Sequence, residues 1–150
     1  METNIRKLLP ADLAYFTELI RLFEDVFEMK DFHIPGNAHL QQLLDDEKFM
    51  AFAAFDEQGK VTGGLTAYVL VQYYSVKPLV YVFDLAVNTS LQRRGIGRKL
   101  IAAINEYCKA AGMEEVFIQA DVVDEYAVEF YHATGGIAEN VVHFYYPLNK

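Results

Sequence analysis

Asp84-Leu85-Ala86-Val87-Asn88-Thr89-Ser90-Leu91-Gln92-Arg93-Arg94-Gly95-Ile96-Gly97 decides the fold. An apolar run ends, a short polar loop follows, and a helical stripe opens on two glycines. The first turn of a helix carries unpaired amide donors and the positive end of its dipole, so this junction is built to hold an anion. Glycines there let the anion approach the backbone with no β-carbon in the way. Arg93, Arg94 and Arg98 add charge beside it. Two nucleotide-binding patterns are excluded. Leu100 stands where a dinucleotide fingerprint has its third glycine, and no lysine followed by serine or threonine completes a P-loop.

Working outward, the loop is fed by Leu79 to Val87, a β-branched and aromatic run that reads as a strand. It is followed by Ile96, Leu100, Ile101, Ile104, Tyr107, Cys108 and Ala111, a helical stripe that stops at Gly112. Val116 to Ala120 reads as the next strand. Strand, crossover helix and strand make a right-handed parallel unit. Upstream, Asn4 to Leu8 reads as a short strand, with Pro10 suited to a first helical position. Leu13, Phe16, Ile20, Phe23 and Phe27 give a helical stripe to about Met29, and His39 to Asp46 a second short helix. Phe49 to Phe55 and Val61 to Tyr73 are strands joined by a turn at Asp56 to Lys60. Downstream, Asp124 is a candidate N-cap for a helix carrying Ala127, Val128 and Tyr131, and Val141 to Tyr146 reads as a final strand. The expectation is an α+β domain over residues 1–150, a mixed central sheet in the order β-α-α-β-β-β-α-β-α-β.

A chain of 150 residues, 53% hydrophobic, can bury one sizeable core and is short for two domains. No apolar run is long enough to span a membrane, and no leader pattern precedes the first strand. One cysteine, Cys108, sits in an apolar stripe and reads as a core residue. A cytoplasmic protein is expected. The net charge of -8 argues against a nucleic-acid partner, because phosphate neutralisation needs a basic surface. Yet Asn88 to Gly112 holds Arg93, Arg94, Arg98, Lys99 and Lys109 against Glu106 alone. A basic segment on an acidic chain suits one anionic ligand and a second, cationic one. An acidic surface that serves only solubility has the same charge.

Gln92-Arg93-Arg94-Gly95-Ile96-Gly97 resembles the signature of the GNAT N-acetyltransferase superfamily: glutamine or arginine, two residues, glycine, any residue, glycine or alanine. The element order matches that fold as well. The resemblance implies that backbone amides from Arg93 to Arg98 hold the pyrophosphate of acetyl-coenzyme A. It also implies that Leu85, Ala86 and Val87 run beside the pantetheine arm, where two parallel strands splay apart. Across nearly the whole chain, Phe49 to Asp56, Ala67 to Leu70, Gln119-Ala120-Asp121, Ala127-Val128, Tyr131 and His143-Phe144 are similar to the aminoglycoside 3-N-acetyltransferase family. That likeness implies acetylation of the 3-amino group of a deoxystreptamine ring, and family members often form homodimers. The loop Lys30 to His39 and the hairpin Gln72 to Pro78 depart from the family pattern, and loops of this kind line acceptor sites.

An amine attacks a thioester only as the free base, so a base, an oxyanion donor and a proton for the departing thiolate are required. Asp84, an acid within an apolar strand, is costly to bury without a role, and is the candidate base, directly or through water; pairing with a structural donor is the alternative. Tyr131 matches the superfamily tyrosine that protonates the thiolate, and a core aromatic is its alternative. The amide of Leu85 or Ala86 would hold the oxyanion. Asp121, Asp124, Glu125 and Glu139 are candidate partners for a cationic acceptor, with Asp124 also suited to capping a helix. His143 is a candidate to orient the acceptor. No covalent intermediate is required, so direct transfer in a ternary complex is expected. The four histidines are scattered and suggest no metal site. A polyamine, another small amine or a protein N-terminus would satisfy the same acids, and a non-catalytic acetyl-coenzyme A-binding module stays open.

Overall fold

A computed structural model describes residues 3–149. The elements are β1 (Asn4–Lys7), α1 (Leu13–Val26), α2 (Asn37–Asp45), β2 (Phe49–Phe55), β3 (Val61–Leu70) and β4 (Leu79–Val87), then a short 3-10 turn (Thr89–Leu91), α3 (Ile96–Ala110), β5 (Glu115–Ile118) and α4 (Glu125–Ala133). The five strands lie in sequence order, β1 to β4 antiparallel and β5 parallel to β4. Residues through Gln119 form one compact unit, and those from Ala120 onward a second, smaller one.

Both faces of β2 are buried, and its period-two pattern shows how. Phe49, Ala51, Ala53 and Phe55 pack with Phe16, Leu19 and Phe23 of α1 and Leu40 and Leu44 of α2. Met50, Phe52 and Ala54 pack on the opposite side with Ile96, Leu100, Ile104 and Cys108 of α3, a stripe at four-residue spacing. Each of these three helices thus buries one face against a sheet whose second strand, β2, has no solvent side.

Several expected boundaries move. Pro10 is not the first residue of α1: Asp12 is the N-cap, and its carboxylate accepts a bidentate pair from Arg6 at 2.8 and 3.1 Å and a bond from the Leu9 amide at 2.7 Å. β3 ends at Leu70, not Tyr73, because Val71 to Val76 form an exposed hairpin tip where Tyr73 and Tyr74 stack on each other. β5 is Glu115–Ile118, shifted back from the expected Val116 to Ala120. Asp124 does cap α4, accepting from the Ala127 amide at 3.1 Å. The expected strand Val141 to Tyr146 does not form. A strand needs an edge to supply its ladder, and among the described residues none pairs with this segment.

Candidate active site

The neighbours of β4 differ along its length. Only Leu79 to Val82 pair with β5, partnering Glu115 to Ile118, whereas the β3 ladder continues to Val87 opposite Gly63. β5 ends at Ile118, opposite Val82, so the β5 side of Phe83 to Val87 carries no strand partner among the described residues and is a candidate slot. A slot beside free strand amides accepts an extended ligand carrying its own amides, which pair with the strand as another strand would.

A bulge sits at the mouth of this slot. Thr66 pairs with Asp84 and Ala67 with Val82, leaving Phe83 as the extra residue. Val82 faces the α3 side, so strict alternation would send Asp84 there too, against Leu100. The extra residue turns Asp84 to the opposite face. There Tyr68, in edge contact with Phe49 of the α1-side core and with Phe83, feels its charge. Leu85 returns to the α3 side and Ala86 to the α1 side. Burial raises the Asp84 pKa above its ordinary value. No ion pair or hydrogen bond holds its carboxylate among the described residues. A structural donor for Asp84, the alternative to a base, is absent from that set.

The loop after β4 is held by its own side chains. Asn88 Oδ1 accepts from the Ser90 amide at 3.0 Å and from the Ser90 hydroxyl at 2.9 Å. Gln92 Nε2 donates to the Val87 carbonyl at 3.2 Å, tying the loop to the strand end. Arg93 at φ 65° and Gly95 at φ 84° turn the chain into α3, and the ladder of α3 begins with the Lys99 amide donating to the Gly95 carbonyl. The amides of Gly95, Ile96 and Gly97 precede the first intrahelical bond and so present donors at the helix tip. A β-carbon built on Gly95 would meet nothing within 4 Å, so the space over the turn is open. Open donors at the helix tip and an open slot along β4 fit a pyrophosphate joined to a pantetheine arm.

Asp84, Leu85 to Val87 and Gln92 to Arg98 are thus brought together in the first unit. Asp121, Asp124, Glu125, Tyr131, Glu139 and His143 belong to the second. Asp121 and Asp124 are exposed, and each bonds backbone locally: Asp121 accepts from the Val123 amide and Asp124 caps α4. Glu125 lies in the first turn of α4, and Glu139 is exposed. Tyr131 is half-buried in α4, its pKa pushed up to about 12 by burial first and then by the Asp124 charge. His143 stacks on Tyr145 in the exposed C-terminal segment. Sequence reading missed Tyr68, Tyr81 and Gln119. The Tyr81 hydroxyl donates to Gln119 Oε1 at 3.1 Å beside the end of β5, and its ring stacks on Phe117. Alternation along β3 and β4 could have put Tyr68 and Tyr81 on one face, but not beside Asp84, since the bulge has no sequence mark.

Residues 14–135 match the model of the acetyltransferase (GNAT) family. The chain belongs to the GNAT acetyltransferase family. Acetyl transfer is therefore its chemistry, and acetyl-coenzyme A is the donor that GNAT acetyltransferases use. Among solved structures, this GNAT chain is 55% identical to the aminoglycoside acetyltransferase meta-AAC0020 from an uncultured soil metagenomic sample, solved with sisomicin (TM-score 0.96; 98% of this chain and 97% of that one) and with trehalose. It is 32% identical to the aminoglycoside acetyltransferase HMB0005, also from an uncultured soil metagenomic sample (TM-score 0.93; 99% of this chain and 100% of that one). The aminoglycoside N-acetyltransferase AAC(6')-Iy, solved with a bisubstrate analogue, shares the fold at 21% identity (TM-score 0.80; 99% and 100% covered). A search of curated protein sequences gives no match.

Proposed function

We propose that this GNAT enzyme acetylates the 3-amino group of aminoglycosides in a ternary complex. The observation that carries the substrate class is the 55% identity, over 98% of the chain, to an aminoglycoside acetyltransferase solved with sisomicin. The position on the antibiotic rests on the resemblance to the 3-N-acetyltransferases. The acidic balance of the chain supports a polycationic acceptor, with Asp121, Asp124, Glu125 and Glu139 as its partners and His143 orienting it.

When bound, acetyl-coenzyme A supplies the thioester carbonyl that the amine attacks. Asp84 takes the proton from the acceptor ammonium, directly or through water, and its raised pKa brings it nearer the amine it must deprotonate. The amide of Leu85 or Ala86 donates to the carbonyl oxygen as that oxygen gains charge. Tyr131 delivers a proton to sulfur as the carbon–sulfur bond breaks. A phenol pushed up to about 12 stays protonated at working pH, so the proton is always available. A thiolate removed from water is more basic too, because desolvation disfavours its charged form. Gln92 closes the loop whose amides, with Arg93, Arg94 and Arg98, hold the pyrophosphate.

The test is thiol release from acetyl-coenzyme A against gentamicin, sisomicin, kanamycin, spermidine and a lysine-containing peptide, with the product assigned by NMR. Gentamicin acetylated at the 3-amine is expected. Kanamycin modified at its 6'-amine would correct the position. Turnover of spermidine alone would overturn the substrate class.

A further inference from the structure

β3 buries two threonines, Thr62 at 3% exposure and Thr66 at 8%, and only the first has a hydrogen-bond partner among the described residues. The Thr62 hydroxyl donates to the Ala54 carbonyl at 3.3 Å, the ordinary solution for a buried hydroxyl. Thr66, between Leu65 and Ala67 of the α3-side core, faces the α1 side and bonds nothing in that set. Its oxygen is not sealed, because no described side-chain oxygen is both unpaired and cut off from solvent. It therefore opens on space that water enters.

That space adjoins Asp84. Thr66 is the register partner of Asp84, and the extra residue Phe83 turns the carboxylate to the face that Thr66 occupies. Opposed β-carbons in an antiparallel ladder stand about 4.5 to 5.5 Å apart, so one water can touch both side chains at once. A held water needs roughly two to four polar partners. Thr66 and Asp84 supply two of them, and an acceptor ammonium supplies a third. Tyr68, two residues beyond Thr66, is the titratable group that feels the Asp84 charge. Thr66, Tyr68 and Asp84 all belong to the first unit.

We propose that Thr66 is a positioning residue, whose hydroxyl and the Asp84 carboxylate together seat the water that relays the acceptor's proton. This rests on Asp84 as the base of the proposed function. The water donates one hydrogen to Asp84 and the other to Thr66 Oγ1, which leaves a lone pair aimed at the ammonium. In the step, an ammonium N–H bond breaks and that proton bonds to the water oxygen, while one of the water's own protons passes to Asp84. The carboxylate becomes a carboxylic acid, the water is regenerated, and the amine keeps the electron pair that attacks the thioester carbonyl. Thr66 Oγ1 steadies the water while its oxygen carries positive charge.

Two protons move in this relay and one in a direct transfer. The single-turnover rate with an acetylated amine, measured across mixtures of H2O and D2O, should therefore bow below a straight line. A straight wild-type line overturns the proposal, and this readout needs no variant. Thr66→Val keeps the shape and removes the hydroxyl, so kcat should fall about tenfold, KM for the acceptor should stay within twofold, and the plot should straighten. The acid limb of kcat/KM should also move to higher pH, because the carboxylate has lost a hydrating partner. Thr66→Ser, which keeps the hydroxyl, should restore rate, curvature and limb. Equal losses in Thr66→Val and Thr66→Ser overturn the proposal, since they mark a packing residue. Asp84→Asn separates the two readings. Rate lost there but kept in Thr66→Val removes the relay alone, whereas rate kept in Asp84→Asn removes the base and the relay together.

Discussion

Asp84→Asn separates a catalytic carboxylate from a structural one, because the two roles predict opposite signs for stability. The amide keeps the size of the side chain and removes its charge and basicity. Losing a general base costs about 10²- to 10⁴-fold in rate, or about 3 to 5 kcal/mol of barrier. Stability moves the other way. Asp84 is half-buried, has no ion pair or hydrogen bond among the described residues, and has its pKa raised by burial above the ordinary 3.8. Below both values the group is protonated in folded and unfolded chains alike and contributes no difference. As pH rises through the window between 3.8 and the raised value, the unfolded chain loses its proton first, and the folded state alone resists ionisation. The native protein therefore loses stability across that window, and Asp84→Asn does not.

The group still reaches water, so screening holds the difference below about 1 kcal/mol, up to about 4 °C in Tm for a chain of this length. The assay is a pair of curves from pH 3.5 to 8: Tm by scanning calorimetry, and kcat/KM by thiol release. The variant should melt higher than wild type at pH 7 and level with it at the acid end. Wild-type kcat/KM should fall toward acid through the raised Asp84 pKa, and the residual activity of the variant should lack that limb. A variant that melts lower at pH 7 with less than a tenfold loss of rate would refute the reasoning, since it would mean that Asp84 is paired.

Gly63→Ala tests the slot beside β4. A β-carbon there would lie 2.9 Å from the Ala86 carbonyl and 3.3 Å from Val87 Cα, backbone that must shift, so KM for acetyl-coenzyme A should rise several-fold with far-ultraviolet circular dichroism unchanged. Tyr131→Phe should lower kcat about 100-fold and leave KM within twofold, read from steady-state kinetics. Equal loss in both would mark Tyr131 as a packing residue. Cys108 is buried, with its thiol pushed up to about 11, so Ellman's reagent should leave it unmodified for hours at pH 8 and react at once in guanidinium.

Where the periodicity has a single solution, sequence and structure agree. β2 and β4 fall on their expected bounds because β2 is an unbroken apolar run and β4 is interrupted only by Asp84, and the stripe from Ile96 to Cys108 leaves α3 no other face to bury. The turn from Gln92 to Gly97 was legible for a different reason: an apolar run, a short polar loop and a helical stripe opening on two glycines mark it in the sequence, and Gly95 does sit at the N-cap of α3. The bulge at Phe83 was not. Nothing in Val82-Phe83-Asp84 marks one residue as unpaired, and the bulge follows from how β3 and β4 meet Leu100 and Tyr68. It is nevertheless the feature that decides whether Asp84 faces the α3 core or the opposite side.

The missing final strand is a different kind of miss. The composition of Val141 to Tyr146 was read correctly as that of a strand, but composition says which segment wants a ladder, not where the ladder is. Strand formation is a property of two segments, and none of the described residues supplies the second. The two segments expected to depart from the family pattern are mostly loop: Lys30 to His39 runs into α2 at Asn37, and Gln72 to Pro78 joins β3 to β4. The framework, then, follows from residues that satisfy one another within a helix or across adjacent strands. The displaced residue in β4 and the C-terminal run without a ladder depend instead on partners that local sequence does not name.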